Sequence, residues 1–288
     1  MIAWPEQLVK DLARRRVVVF LGAGVSRNST NPDGRRPKTW EQFLRDACEG
    51  IQPPKKHIQS LLKQRDYLTA CEVIRRKIGR DDFIDIVRDE FLTPGYQHAQ
   101  IHENIFRLDS RIVATPNFDK IHETLANHRA RGSIIVKHNY DPDVADAIRD
   151  DGRLILKVHG SIDSPNRLIF TRSEYARARI EHRTFYQVLD ALAMTHTFIF
   201  VGCGVSDPDV ALLLEDAFFR HPASRGHIML IPRGAMHSEV AAIVGETMNL
   251  RMIEYSAADN HRELTESLAE LADQVETSRE RLRTSLNW

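Results

Sequence analysis

The segment Gly22-Ala23-Gly24-Val25-Ser26 follows directly on the apolar run Val17-Val18-Val19-Phe20-Leu21, and a β-branched strand breaking into a small-residue turn suits phosphate chemistry. Two glycines let the backbone approach a pyrophosphate and expose N–H donors, while the helix that follows adds the positive end of its dipole. The dinucleotide fingerprint asks for a third glycine where this chain has Arg27, so the turn alone also fits a tight strand-to-helix connection that binds nothing. Three further segments place small or polar groups just beyond predicted strand ends: Thr115-Pro116-Asn117-Phe118-Asp119, His159-Gly160-Ser161, and Gly202-Cys203-Gly204-Val205-Ser206-Asp207-Pro208-Asp209. Each belongs to a different strand-to-helix connection, and in open α/β sheets such connections meet at one cleft.

Structural alternatives stand beside the chemical ones. The His159 imidazole is suited to accept a proton from water or a sugar hydroxyl near neutral pH, but a single histidine after a strand also serves as a packing contact. Asn117 carries an acceptor and a donor and can orient a water or a hydroxyl. It can equally cap a helix running from Phe118 onward, with Asp119 favouring that helix's dipole. Ser206 and Asp207 ahead of Pro208 fit an N-cap and a first turn. Two other constellations fail. His98 and His102 lie four apart with Glu103 adjacent, yet a zinc-protease pattern needs its second histidine where Phe106 stands. No GxSxG elbow occurs, which leaves a Ser-His-Asp hydrolase unsupported.

The elements that must position these groups are legible as periodicity. Short apolar runs recur at 17–21, 111–114, 133–137, 154–158, 197–201, 227–231 and 251–255, most of them followed by helix-compatible polar stretches. That alternation predicts parallel βαβ units, and continuously apolar strands such as Phe198-Ile199-Phe200-Val201 predict burial on both faces. From 39 to 108 no strand is predicted; helix-period segments at 40–48, 55–64, 67–78, 82–91 and 98–108 are punctuated by Gly79 and Thr93-Pro94-Gly95. The fold class expected is α/β, a Rossmann-like, mostly parallel sheet flanked by helices. Its core comprises 1–38 and 109–288, interrupted by a helical insertion at 39–108 and ending in one long charged helix over 260–286. The 28–38 loop, rich in Asn, Pro, Gly and basic residues, is a candidate flap over a ligand.

Composition narrows the classes. A chain of 288 residues that is 42% hydrophobic can bury one large core with a subdomain. Lys plus Arg balances Asp plus Glu at 40 each, so no global field draws nucleic acid or an anionic membrane. Cys48, Cys71 and Cys203 stand far apart and fit neither a disulfide framework nor a paired CxxC zinc site, which points to a reducing cytoplasm. No stretch reaches the roughly 18 apolar residues of a membrane span, and a soluble protein is expected.

The chain resembles the sirtuin superfamily, specifically its bacterial sirtuin-like NAD-hydrolase branch of antiphage defence systems. The resemblance spans nearly the whole chain. Gly22 to Ser26 resembles the GAGxS turn, Thr115 to Asp119 the TxN(x)D motif, and His159-Gly160 the catalytic histidine-glycine pair. Lesser matches are Lys38-Thr39-Trp40, Phe170-Thr171 with Tyr175, the segment from Gly202 to Asp209, and Tyr255-Ser256 with Asn260-His261. The resemblance implies NAD as substrate, with Gly22, Ala23, Gly24 and Ser26 on the pyrophosphate and Thr115 within the motif that carries Asn117. It implies Asn117 orienting water or the ribose hydroxyls, Asp119 on the nicotinamide carboxamide or holding the loop, and His159 as proton acceptor. Gly202, Ser206 and the loop after Tyr255 would receive the adenosine half. Thr115 and Gly204 are also expected among the NAD-binding residues, Gly204 standing where many relatives have a serine. The chain departs from deacylating sirtuins in lacking the four-cysteine zinc module and the substrate-peptide strand beside it, so no metal is expected. The implied activity is an NAD glycohydrolase, held silent until oligomerisation or a separate partner such as a HerA-type ATPase or an Argonaute-like protein activates it. A protein deacylase or ADP-ribosyltransferase, and a non-catalytic sensor of NAD or ADP-ribose, are the alternatives.

Overall fold

The computed structural model describes residues 1–204, 214 and 225–285. Strands β1 (Val17–Leu21), β2 (Ile112–Thr115), β3 (Ile135–His138), β4 (Leu154–Lys157), β5 (Thr197–Val201), β6 (His227–Pro232) and β7 (Leu250–Tyr255) form one sheet. Its order is β3-β4-β2-β1-β5-β6-β7 and every pairing is parallel. The described helices are α1 (Glu6–Ala13), α2 (Ala23–Ser26), α3 (Trp40–Glu49), α4 (Lys56–Lys63), α5 (Tyr67–Ile78), α6 (Arg80–Phe91) and α7 (Gln100–Arg107). They continue with α8 (Ile121–Arg129), α9 (Val144–Arg149), α10 (Arg172–Glu181), α11 (Arg183–Thr195), α12 (Ser238–Thr247) and α13 (Ala258–Ser285).

Burial on both faces explains the unbroken apolar runs. All residues of β1, β2 and β4 are buried. Because side chains alternate along a strand, Val17, Val19 and Leu21 join a cluster with Leu12, Ile105 and Leu268, whereas Val18 and Phe20 join one with Phe185, Leu189 and Phe200. The chain leaves β1 toward β2 on one side and later supplies β5 on the other. Connections diverge at that seam, the position beside which open α/β sheets bind their ligands.

Helices α3 to α6 share a separate core, with Phe43, Leu44, Ile58, Ile74, Phe83 and Val87 buried together. Ile162, Leu168 and Phe170, which follow β4, are buried in the same cluster, so the small domain is seated on the loop that follows that strand. Helix α7, expected inside the insertion, packs instead with the main core: Ile101, Ile105 and Leu108 lie in the cluster that α13 also enters. An amphipathic helix is the same signal in either place, and only packing separates them.

The candidate flap is tied down at both ends of its basic run. Glu90, 3% exposed, accepts the Lys38 backbone N–H at 3.0 Å and the Tyr96 hydroxyl at 3.2 Å, and pairs with Lys38 Nζ at 3.1 Å and with Arg35. Arg36 meanwhile donates to Asn260 beyond β7. Asp259, Asn260 and His261 have φ of 51°, 56° and 61°, so the terminal element opens on a left-handed turn rather than as the single regular helix expected. No helix among the described residues is long and apolar enough to cross a membrane.

Candidate active site

The turn after β1 and the turn after β5 are docked on each other. The parallel ladder continues past both strands, with the Gly22 N–H donating to Val201 O and the Gly24 N–H to Gly202 O, each at 2.9 Å. These two amides, expected to face a pyrophosphate, are therefore engaged by neighbouring carbonyls, and the exposed surface of the turn is that of Ala23 and Gly24. A Cβ at Gly22 would collide with the Gly202 carbonyl and lie 2.8 Å from the Cys203 Cα. Gly202 has φ +68°, and a Cβ there would lie 2.6 Å from the Val25 nitrogen. Two small-residue turns can touch this closely only without side chains. Gly22→Ala is expected to cost about 2–3 kcal/mol by overpacking. Gly204→Ala, where nothing among the described residues lies within 4 Å of an added Cβ, should stay within about 0.5 kcal/mol; urea unfolding of the two variants checks the contrast.

A buried polar network ties the loop after β2 to this turn. Thr115 Oγ1 donates to Leu21 O at 2.7 Å and accepts the Asn117 N–H at 3.1 Å. Asn117 Nδ2 donates to Gly22 O at 3.0 Å and Ser26 Oγ at 3.1 Å, and the Ser26 hydroxyl donates to Asp119 Oδ2 at 2.7 Å. Asp119 Oδ1 accepts the Ile121 N–H at 3.0 Å. Asn117 thus does not cap a helix, since α8 begins only at Ile121. Asp119 holds the loop. Thr115, Ser26 and Asp119 are 7%, 5% and 8% exposed, and each buried polar atom described here has a protein partner.

Beneath that loop lies Lys157, 1% exposed, whose ammonium donates to Asp119 O at 2.6 Å and pairs with Glu123 at 3.2 Å. Sequence reasoning gave this lysine no role. Its one signal is a cation ending the otherwise apolar strand Leu154-Ile155-Leu156-Lys157.

His159 follows β4 and is 4% exposed. Its Nδ1 lies 3.3 Å from the Tyr175 hydroxyl, with ring centroids 4.7 Å apart and the rings edge to face. Phe118, the residue between Asn117 and Asp119, has its ring centroid 6.3 Å from that of His159 and 4.4 Å from that of Phe170. Trp40, at the first turn of α3, stacks on Phe170 at 5.5 Å. Backbone bonds lace the same loops, Val158 N to Thr115 O at 2.9 Å and Ile162 N to Phe118 O at 3.0 Å. The aromatic wall between insertion and sheet therefore adjoins the imidazole.

Two more histidines stand on the helices α7 and α8 around this loop. On α7 the His102 Nδ1 accepts the Ala99 N–H at 3.2 Å, and its ring lies 6.3 Å from that of His122 on α8. Burial pushes His102 down to about 4, against the pull of nearby Asp119, and pushes His122 down to about 3. His102 is thus a neutral packing and capping group, and His98 pairs with Glu103 at 3.2 Å. No group of three or more His, Cys, Asp or Glu that could hold a metal occurs among the described residues.

The structure brings Gly22, Ala23, Gly24, Ser26, Thr115, Asn117, Asp119 and Gly202 around the ends of β1, β2 and β5, with His159 beside them through Phe118. Gly204 is exposed beyond β5, and Ser206 lies outside the described residues. Past β7, the buried Tyr255 has its hydroxyl 3.1 Å from His261 Nδ1, next to the Asn260 that receives Arg36.

Residues 111–253 match the family model of the SIR2-like domain, a stretch that begins just before β2 and leaves the glycine turn after β1 outside it. The chain is 24% identical over 213 residues to "Defense-associated sirtuin 2" of Bacillus subtilis, covering 73% of this chain and 20% of that protein. It is 22% identical over 213 residues to "NAD(+) hydrolase ThsA" of Cytobacillus dafuensis, covering 73% of this chain and 40% of the relative. To the protein of the same name from Enterococcus faecium it is 24% identical over 208 residues, covering 71% and 40%. The chain therefore spans between a fifth and two fifths of the length of these relatives. Residues 111–253 thus carry a SIR2-like domain built on an all-parallel sheet, with bacterial defence-associated sirtuin and NAD(+) hydrolase proteins among the relatives that the chain resembles.

Proposed function

We propose that the chain hydrolyses NAD⁺ to nicotinamide and ADP-ribose, as an effector of antiphage defence. The observation that carries this reading is the meeting of the Asn117 and His159 loops with the Gly22 and Gly202 turns beside the β1/β5 seam. Relatives that bear the names of NAD(+) hydrolases and of a defence-associated sirtuin support the same substrate and setting.

Each group has a task in that reaction. The exposed Ala23–Gly24 surface, which bears no side chain larger than a methyl, leaves room for a pyrophosphate. The bond between ribose C1′ and the nicotinamide nitrogen breaks with its electron pair going to nitrogen, so the positive pyridinium leaves as neutral nicotinamide and needs no general acid. Water oxygen bonds to C1′, and its proton passes to His159 and then to solvent. With Nδ2 of Asn117 committed to Gly22 and Ser26, Oδ1 is its remaining polar atom, able to orient that water or a ribose hydroxyl. Asp119 and Lys157 keep the loop rigid so that this placement costs nothing at the moment of reaction.

The buried thiols Cys48 and Cys71, with burial pushing both up from their ordinary range, suit a reducing cytoplasm. Control by self-association or by a separate activator, a HerA-type ATPase or an Argonaute-like protein, belongs to the same reading. Incubation of the purified protein with NAD⁺, alone and with such partners, should release nicotinamide and ADP-ribose in equal amounts. No nicotinamide under any condition overturns the reading, and consumption of an acylated peptide in proportion to NAD⁺ replaces it with deacylation.

A further inference from the structure

We propose that a cavity in the helical insertion, walled by the 28–38 loop, α3 and α6, is a binding site for a small organic cation with an apolar body. The inference does not depend on the hydrolysis proposed above, and the cavity shares no lining residue with the turns and loops around Gly22 and His159. Its volume is about 330 Å³, within the range of roughly 300–1,000 Å³ that small-ligand pockets occupy. Small residues open it. Phe43, Ala47 and Gly50 recur along α3 and its C-cap at helical spacing, and the last two leave space that longer side chains would fill. Ile86, Asp89 and Glu90 line it from α6 at the same kind of spacing, and Ile78 closes it at the end of α5. Phe43 and Ala47 are buried, while Ile78 and Ile86 are half-buried against the same core. An apolar body seated there covers what remains open of the two isoleucines.

The charges of the lining decide the class of ligand. Arg35 and Lys38 are its cations, and both are engaged: the buried Glu90 carboxylate pairs with Arg35 and with Lys38 Nζ at 3.1 Å, and Lys38 Nζ also meets Asp46 at 2.7 Å. Asp89 has no cation partner among the described residues, where it accepts the Thr93 hydroxyl at 3.4 Å. Asp46, Asp89 and Glu90 thus outnumber the cations beside them. An entering ammonium pairs with Asp89 without displacing either loop residue. A carboxylate or phosphate would have to draw Arg35 or Lys38 away from Glu90, and a buried carboxylate stripped of its partner is costly. A neutral ligand gains the apolar contacts alone. Charge complementarity therefore selects the cation. Because Arg35 and Lys38 belong to the loop that reaches Asn260 through Arg36, an occupant of this cavity touches the candidate flap directly.

The test titrates the full chain, labelled at its isoleucine methyls, with three probes that share one apolar body: 2-phenylethylammonium, 2-phenylethanol and phenylacetate. The cation should shift the Ile78 and Ile86 methyl signals saturably, with a Kd on the order of 1 mM for so small a ligand. The alcohol should bind more weakly and the anion at least about tenfold more weakly than the cation. Asp89→Asn, a change at an exposed side chain, should weaken the cation about tenfold and leave the alcohol unchanged, the scale of one charge-assisted hydrogen bond. Gly50→Leu fills the cavity rim at a position with φ −69° where an added Cβ meets only Ala47 O at 3.8 Å. It should keep the wild-type unfolding midpoint and bind none of the probes. Phenylacetate binding as tightly as the cation, or unchanged cation affinity in Asp89→Asn, overturns the inference. So does the absence of shifts at both methyls up to the solubility limit of the cation, or unchanged shifts in a folded Gly50→Leu protein.

Discussion

On the proposed hydrolysis, replacing His159 by glutamine is expected to lower the rate of nicotinamide release by about 10²- to 10⁴-fold, the contribution of a positioned general base. Glutamine keeps much of the ring's volume and its hydrogen-bonding capacity but cannot take a proton at neutral pH. The loss should fall on kcat, since the step affected is the deprotonation of water rather than the binding of the pyrophosphate. Asn117→Ala should be distinguishable. It removes two hydrogen bonds, to Gly22 O at 3.0 Å and Ser26 Oγ at 3.1 Å, and so weakens both the loop and turnover. Nicotinamide quantified by chromatography, beside a circular-dichroism melt of each variant, separates these cases. A His159→Gln protein with wild-type turnover would remove His159 from the mechanism and leave the loop network as scaffold alone.

Acid should begin to destabilise this protein below about pH 6.5, before its carboxylates are titrated. Burial holds His102 down to about 4, His122 down to about 3 and His227 down to about 4, all from an ordinary value near 6.5. His227 is 4% exposed and its Nδ1 accepts the Phe198 N–H at 3.1 Å, a bond that requires the unprotonated nitrogen. For such groups the unfolded chain binds protons first, so the unfolded state gains as pH falls. Their stability is whole above about pH 7.5, declines as pH drops through 6.5 and is spent near pH 4. The three shifts act in the same direction, so each lowers stability further as pH falls through that window. Urea unfolding at pH 7.5, 5.5 and 4.5 should show a falling midpoint, with a shallower slope in His102→Phe. A midpoint independent of pH over this range would show that these rings are solvated or paired rather than buried and neutral.

The loss would reach the site as well as the fold. His102 and His122 link α7 to α8, and α8 begins two residues after Asp119, the carboxylate that holds both Ser26 and the Ile121 N–H. Charging that histidine pair pushes apart the helices that seat the loop.

Much of this architecture can be read along the chain. The seven apolar runs correspond to the seven strands with boundaries moved by at most two residues; β1, β2 and β4 are apolar because they are buried on both faces, whereas the edge strands β3 and β7 are only partly buried and carry Lys137, His138, Arg251 and Glu254. The segment 67–78 is the helix Tyr67–Ile78, and Thr39 with Gln42 forms the capping box that opens α3, since caps and periods are local properties. Helix α7 shows the limit of that reading. Its pattern of Ile101 and Ile105 is the same whether the partner is the insertion or α13. The 260–286 helix likewise hides its left-handed opening, because Asp259 and Asn260 tolerate that conformation without announcing it.

The chain by itself therefore determined the strands, the helices, and the turns rich in glycine, amide and imidazole, all of which depend on neighbours within a few residues. Only the tertiary structure decided that β5 lies against β1 rather than elsewhere in the sheet, which sets Gly202 upon Gly22. It likewise decided that Lys157 supports Asp119 and that Tyr175 reaches His159. Those contacts follow from strand order, register and the seating of the insertion. Such choices are made by burial summed over the whole core, and no short stretch of residues encodes them.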